Sequence, residues 1–69
     1  MKISARNQFK GKVVSIDTGA VNAIVGIDIG GGNVVSATVS LAAVQDLELR
    51  PGKEAYAVIK ATSVMVGID

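Results

Sequence analysis

The chain has 69 residues, 49% hydrophobic, 3% aromatic and 19% charged, with no cysteine, histidine or tryptophan and a formal net charge of +1. That length holds one small domain, and the composition excludes disulfides, Cys/His zinc sites, thiol redox chemistry and any catalytic arrangement built on histidine. A core of this size rarely supplies more than about 3–5 kcal/mol without a staple. With a mean hydropathy of +0.47 carried by Val, Ile, Ala and Leu, the surplus apolar surface is expected to meet another copy of the chain.

Charge is unevenly spread. Residues 1–16 hold Lys2, Arg6, Lys10 and Lys12 with no acid, residues 17–49 hold Asp17, Asp28, Asp46 and Glu48 with no base, and Arg50, Lys53 and Lys60 follow against Glu54 and Asp69. This bias is too weak for a polyanion binder, and two aromatics, Phe9 and Tyr56, give no stacking platform, so nucleic acid is not an expected partner. Apolar runs are too short for a membrane span, and no apolar stretch of the signal-peptide kind follows the basic start. A cytoplasmic protein without a membrane partner is expected.

In chain order, the β-branched run Phe9–Ile16 predicts a first strand with Gly11 at a bulge or bend. Asp17-Thr18-Gly19 predicts an Asx-type turn with Gly19 at positive φ. Val21, Ala23, Val25, Ile27 and Ile29 alternate to form the apolar face of a second strand, and Gly30-Gly31-Gly32-Asn33 turns it into a third over Val34–Val39. Ser40 is placed to N-cap a helix of about two turns, with Leu41, Val44 and Leu47 on one face. Arg50-Pro51-Gly52-Lys53 is a turn, and Ala55–Lys60 and Val64–Ile68 read as two further strands. Five strands with one short helix between the third and fourth is the layout of an all-β, OB-like barrel whose closure removes free edges. An open α+β sheet shares the same periodicity.

Val25–Asn33 resembles the first phosphate loop of sugar-kinase and actin-like ATPases, but that fold needs two large lobes, and the glycines equally suit a tight hairpin with Asp28 facing solvent. The carboxylates form no facing pair for acid–base catalysis, so no enzyme is expected. Three segments are instead rich in donors and free of acids. Ser4-Ala5-Arg6-Asn7-Gln8 supplies a hydroxyl, a guanidinium and two amides, with Ser4 and Arg6 on one side of an extended run. Ser40 stands at a helix N-terminus. Lys60 is followed by the hydroxyls of Thr62 and Ser63. Such segments suit a tetrahedral oxyanion, or simply a solvated surface.

Ser4-Ala5-Arg6-Asn7-Gln8, then Lys10–Val14, Ala23–Ile27, Gly31–Asn33, Val39–Leu41 and Val58-Ile59-Lys60-Ala61-Thr62-Ser63-Val64-Met65, closely resemble the molbindins. These are small cytoplasmic molybdate-binding proteins made of a single Mop domain, related to the TOBE domains of molybdate-responsive regulators and transporter ATPases. The resemblance covers essentially residues 1–69 as one domain. It implies an OB-like barrel assembled as a homohexamer, a trimer of dimers, with the N-terminal strand exchanged onto the dimer partner and molybdate or tungstate bound at subunit interfaces.

Residue by residue, the resemblance assigns oxyanion donors to Ser4 and Arg6, to Lys60, and to the Ser40 hydroxyl. Ala43 stands where relatives often carry Ser, so it is left with its backbone N–H. Ala61 stands where some relatives have Ser, with Ser63 as a substitute hydroxyl. A second interface site, built largely from backbone donors, maps to Gly19, Ala20, Val21 and Asn22. The implied role is molybdenum storage or homeostasis with no organic cofactor. A nucleic-acid-binding OB module and a ligand-free oligomerisation domain are the alternatives, separated from it by titration with single-stranded DNA and with molybdate.

Overall fold

The three glycines of the hairpin explain the first half of the chain. Gly30, Gly31 and Gly32 take φ of 94°, 64° and 79°, a left-handed run that side chains resist. The Gly30 N–H donates to Asp28 Oδ1 at 2.8 Å, and Asn33 Nδ2 donates to the Gly30 carbonyl at 3.2 Å. The loop is therefore satisfied by its own side chains, with Asp28 exposed as expected. It joins β2 (Asn22–Gly30) to β3 (Asn33–Ser40), which pair antiparallel from Asn22↔Ser40 to Gly30↔Asn33.

This computed structural model describes residues 1–69. Its first strand, β1 (Asn7–Thr18), pairs with β2 on one side and with β4 (Glu54–Ile59) on the other, giving an antiparallel sheet of order β3-β2-β1-β4. β1 is longer than predicted because Asp17 and Thr18 pair with Ile24 and Ala23 instead of turning. The turn falls on the next residues, closed by the Gly19 N–H donating to the Asn22 carbonyl at 2.7 Å, and Gly19 is not among the residues at positive φ. Val21 belongs to this turn and is 72% exposed, so the apolar face of β2 starts at Ala23.

The predicted bulge lies at Val14, where the register steps from Val13↔Ile27 to Ser15↔Gly26. Gly11 answers to a different constraint. A Cβ there would overlap the Asp28 backbone carbonyl of the adjacent strand, so close approach, and not a bend, requires glycine.

Ser40 caps α1 (Leu41–Asp46) as predicted, its Oγ accepting from the Ala43 N–H at 3.0 Å. The helix is shorter than two turns: Glu48 takes a φ of 52°, and Lys53 Nζ donates to the Leu47 carbonyl at 2.6 Å. The Arg50–Lys53 turn is present, with Gly52 at φ 92° and Lys53 N–H donating to the Arg50 carbonyl at 3.1 Å. It is fastened to β1 by the Gly52 N–H to Val13 carbonyl and Val13 N–H to Lys53 carbonyl bonds, at 2.8 and 2.9 Å.

The core is small. Val13, Val25, Ile27 and Ala57 form its buried cluster, with Val35, Val39, Val44 and Leu49 partly buried against it. The expected fifth strand at Val64–Ile68 is absent, so the sheet has four strands and does not close. After β4 a 3-10 turn over Ala61–Ser63 leads the chain away, residues 65–69 form no backbone hydrogen bond, and the outer edges of β3 and β4 are unpaired. The strand expected to be exchanged, at the N-terminus, is paired on both sides within its own chain. No helix is long and apolar enough to cross a membrane.

Candidate functional site

The β1/β4 ladder begins with Asn7 opposite Ile59, so the residues just outside it, Arg6 and Lys60, leave the sheet side by side. Asn7 Nδ2 reinforces this point by donating to the Ile59 carbonyl at 3.2 Å. Gln8 Nε2 donates to the Ala5 carbonyl at 2.6 Å, and the chain bends at Ser4 and at Arg6. The expected simple alternation of Ser4 and Arg6 along an extended run is therefore replaced by a short loop tied to β1. Each of the two side-chain amides gives one N–H to backbone, which ties the loop to β1. An Asn followed by Gln at the mouth of a strand carries no signal of these bonds in the sequence alone.

This end of the sheet gathers Ser4, Arg6, Lys60, Ala61 and Ser63, of which all five are exposed. The Ser63 N–H is taken by the Lys60 carbonyl at 2.9 Å, while no hydrogen bond within the chain uses the Ala61 N–H. The one ion pair of the chain, Lys10 Nζ to Glu54 Oε1 at 3.3 Å, lies further along the ladder. Arg6 and Lys60 therefore keep their charges without a carboxylate partner, at the end of the sheet from which the Ser4 and Ala61–Ser63 segments also leave.

Ser40 is not there. It pairs with Asn22 at the far end of β2 and β3, beside the end of β1 at Thr18, whereas Arg6 precedes the start of β1. β1, of twelve residues, runs between these two ends of the sheet in a chain whose longest extent is 35 Å, so one chain places Ser40 and the Arg6/Lys60 pair at opposite ends. The Ser40 oxygen accepts from Ala43, which leaves its O–H free to donate but occupies the Ala43 N–H. The Ala43 N–H, read as a backbone donor to the oxyanion, is engaged in the helix cap within the single chain.

The turn at Gly19–Asn22 borders a concavity of about 280 Å³ lined by Asp17, Thr18, Gly19, Asn22, Ile24 and Thr38. Ala20 and Val21 do not line it. The Gly19 N–H is bound to the Asn22 carbonyl within the chain, and Asp17 is among the residues that line the hollow. Across the whole chain no three His, Cys, Asp or Glu side chains are grouped to hold a metal cation.

An antiparallel, curled sheet with one short helix and an end rich in cations and hydroxyls is the setting of a small-anion-binding domain. The TOBE domain family matches residues 3–66, and the chain belongs to that family. It is 78% identical over 69 residues, all of both chains, to the "Probable molybdenum-pterin-binding protein" of Haemophilus influenzae. Its fold superposes on MopII from Clostridium pasteurianum with a TM-score of 0.90 at 46% identity, covering 97% of this chain and 100% of that one. The molybdate-bound form of the cytoplasmic molybdate-binding protein ModG gives a TM-score of 0.94 at 45% identity, with all of this chain spanning 49% of ModG. The molbindin resemblance read from the sequence is thus borne out at the level of family and OB-like fold, with four strands in place of five.

Proposed function

We propose that residues 1–69 act as one oxyanion-binding domain that holds molybdate or tungstate for molybdenum storage or homeostasis in the cytoplasm, without catalysis, as a homohexamer built from three dimers. Arg6 and Lys60 supply charge, Ser4 and Ser63 hydroxyls and Ala61 an amide from one copy, and Ser40 supplies a hydroxyl from another. The supporting observation is the separation just described. Donors of one chain lie at opposite ends of its sheet, so a pocket that uses both sets is closed only where copies meet.

The chemistry follows from the ion. Molybdate is a tetrahedral dianion, and leaving water costs it a hydration shell that N–H and O–H donors beside fixed cations replace through charge-assisted hydrogen bonds. Protein atoms bind its oxygens and need not coordinate the metal. A pocket offering only donors disfavours protonated phosphate, which needs an acceptor, and its size disfavours sulfate. Relatives of the chain are described as molybdenum-pterin-binding or molybdate-binding proteins, which supports this choice of ion.

Calorimetric titration of the full chain with molybdate, tungstate, sulfate and phosphate tests the reading, together with native mass spectrometry. Heat and bound mass with the first two ions, on an assembly of six chains, are expected. No heat and an unchanged melting temperature with both metal oxyanions would overturn it.

A further inference from the structure

We propose that Gln8 is a positioning residue of the oxyanion site: its side chain holds the Ala5 carbonyl and thereby sets where Arg6 leaves the chain, beside Lys60. This rests on the oxyanion reading above and adds to it a residue that need not touch the ion.

Gln8 stands opposite Val58 in the β1/β4 ladder, and directly paired residues of an antiparallel sheet project to one face. Lys60 lies two residues beyond Val58 and, with φ −60° and ψ 128°, continues the extended backbone of β4. Side chains two apart along an extended run share a face, so Gln8, Val58 and Lys60 project together. From that face Gln8 Nε2 reaches back three residues to the Ala5 carbonyl at 2.6 Å. The bond draws the loop that carries Ser4 and Arg6 to the side of the sheet on which the lysine lies. Asn7 alternates to the other face and binds the Ile59 carbonyl, so it joins the two strands and leaves the loop to Gln8.

No second polar contact does this. Residues 1–6 take part in no backbone–backbone hydrogen bond, and the ion pair of the chain joins Lys10 to Glu54. The Gln8 amide makes the single hydrogen bond that reaches residues 1–6. Arg6 is consequently bracketed. On one side the planar peptide that joins it to Ala5 is held by Gln8; on the other, Asn7 enters the ladder opposite Ile59. The direction of the Arg6 Cα–Cβ bond follows from the backbone on both sides, so the guanidinium starts from a defined point. A donor loop ordered before the ion arrives loses less conformational entropy on binding than a free one. The tether is exposed and spans three residues, so its loss is felt at the ion and hardly in the stability of the fold.

Gln8→Met keeps the side-chain length and removes the donor. It is tested on the full chain by calorimetric titration with molybdate and, without the ion, by NMR relaxation of the backbone amides. Melting temperature and assembled mass are expected to match the parent, and the amides of Ala5 and Arg6 to gain motion on the ps–ns scale. Molybdate affinity should fall about fivefold, with the loss carried by the entropy of binding. Because Gln8 acts through Arg6, the same change in an Arg6→Ala background should cost less than about twofold, whereas in a Lys60→Ala background it should keep its full effect. Parental affinity in Gln8→Met overturns the proposal, as do parental amide dynamics at Ala5 and Arg6. A loss that persists undiminished in Arg6→Ala also overturns it, since a general weakening of the fold gives that result. A parent chain that binds neither molybdate nor tungstate overturns the oxyanion reading and this role with it, while failure of the Gln8 results alone leaves that reading standing.

Discussion

Asn7 and Ile59 are bound twice, as partners in the β1/β4 ladder and through the 3.2 Å bond from Asn7 Nδ2 to the Ile59 carbonyl. This double tie fixes the relative height of the two chain segments from which Arg6 and Lys60 emerge. Asn7→Ala removes the side-chain bond and keeps the ladder. A stability loss of about 1 kcal/mol is expected in urea titration. Molybdate affinity measured by calorimetry should fall several-fold although no donor to the ion has been deleted.

Lys60→Ala removes an exposed ammonium with no carboxylate partner, so the ligand-free protein should melt within about 0.5 kcal/mol of the parent, as surface substitutions do. A charge-assisted hydrogen bond is worth about 1.5–3 kcal/mol, and oxyanion affinity should drop about tenfold or more. Full affinity in this variant would remove Lys60 from the pocket.

Ser40 serves two masters that can be separated. Ser40→Ala should cost about 1 kcal/mol through the lost cap and also weaken the ion. Ser40→Asp keeps an acceptor for the Ala43 N–H, hence the helix, but sets a negative charge where an anion is to sit. Parental melting temperature with abolished molybdate binding is the expected pair of results.

Gly11→Ala tests the closeness of β1 and β2. The new methyl meets the Asp28 carbonyl, which is backbone and cannot swing aside, so the strands must part. A loss of about 1–3 kcal/mol, as for overpacking, is expected in thermal melts. The same change at Gly32, where a Cβ meets open space but φ is 79°, should cost about 1 kcal/mol through the backbone alone.

Ligand addition gives the simplest measurement. Molybdate or tungstate at a hundred times its Kd should add about 2.7 kcal/mol to stability, and sulfate at equal concentration should add far less. Because the cations at the site are exposed, raising the salt concentration should shrink the gain.

Much of the fold was legible in local chemistry. Alternation at Ala23, Val25 and Ile27, the three glycines before Asn33, the Ser40 cap and the Pro51-Gly52 turn each act over a few residues, and each stands as read. What failed depends on contacts far apart in the chain. The bulge at Val14 is set by register with β2, the Gly11 requirement by the Asp28 carbonyl, and the extension of β1 through Thr18 by pairing with Ala23. Val64–Ile68 has the pattern of a strand but pairs with nothing in its own chain, and alternation alone does not supply a neighbour. For the candidate site, the donor character of Arg6, Lys60 and Ser40 is plain from residue type. That Ala43 and Gly19 give their backbone N–H, and Asn7 and Gln8 one amide N–H each, to the protein itself is not, since hydrogen-bond partners across strands and turns leave no mark in spacing.

The opposite placement of Ser40 and Lys60 has a thermodynamic corollary. An ion held by both is a cross-link between polypeptides, and its affinity cannot be separated from their mutual affinity: each is a face of one linkage equilibrium. Scarce protein then binds loosely, abundant protein tightly, and an excess of the ion drives single chains together. On the proposed shared site, a cell that makes more of this chain sharpens its hold on the metal, with no change in any residue.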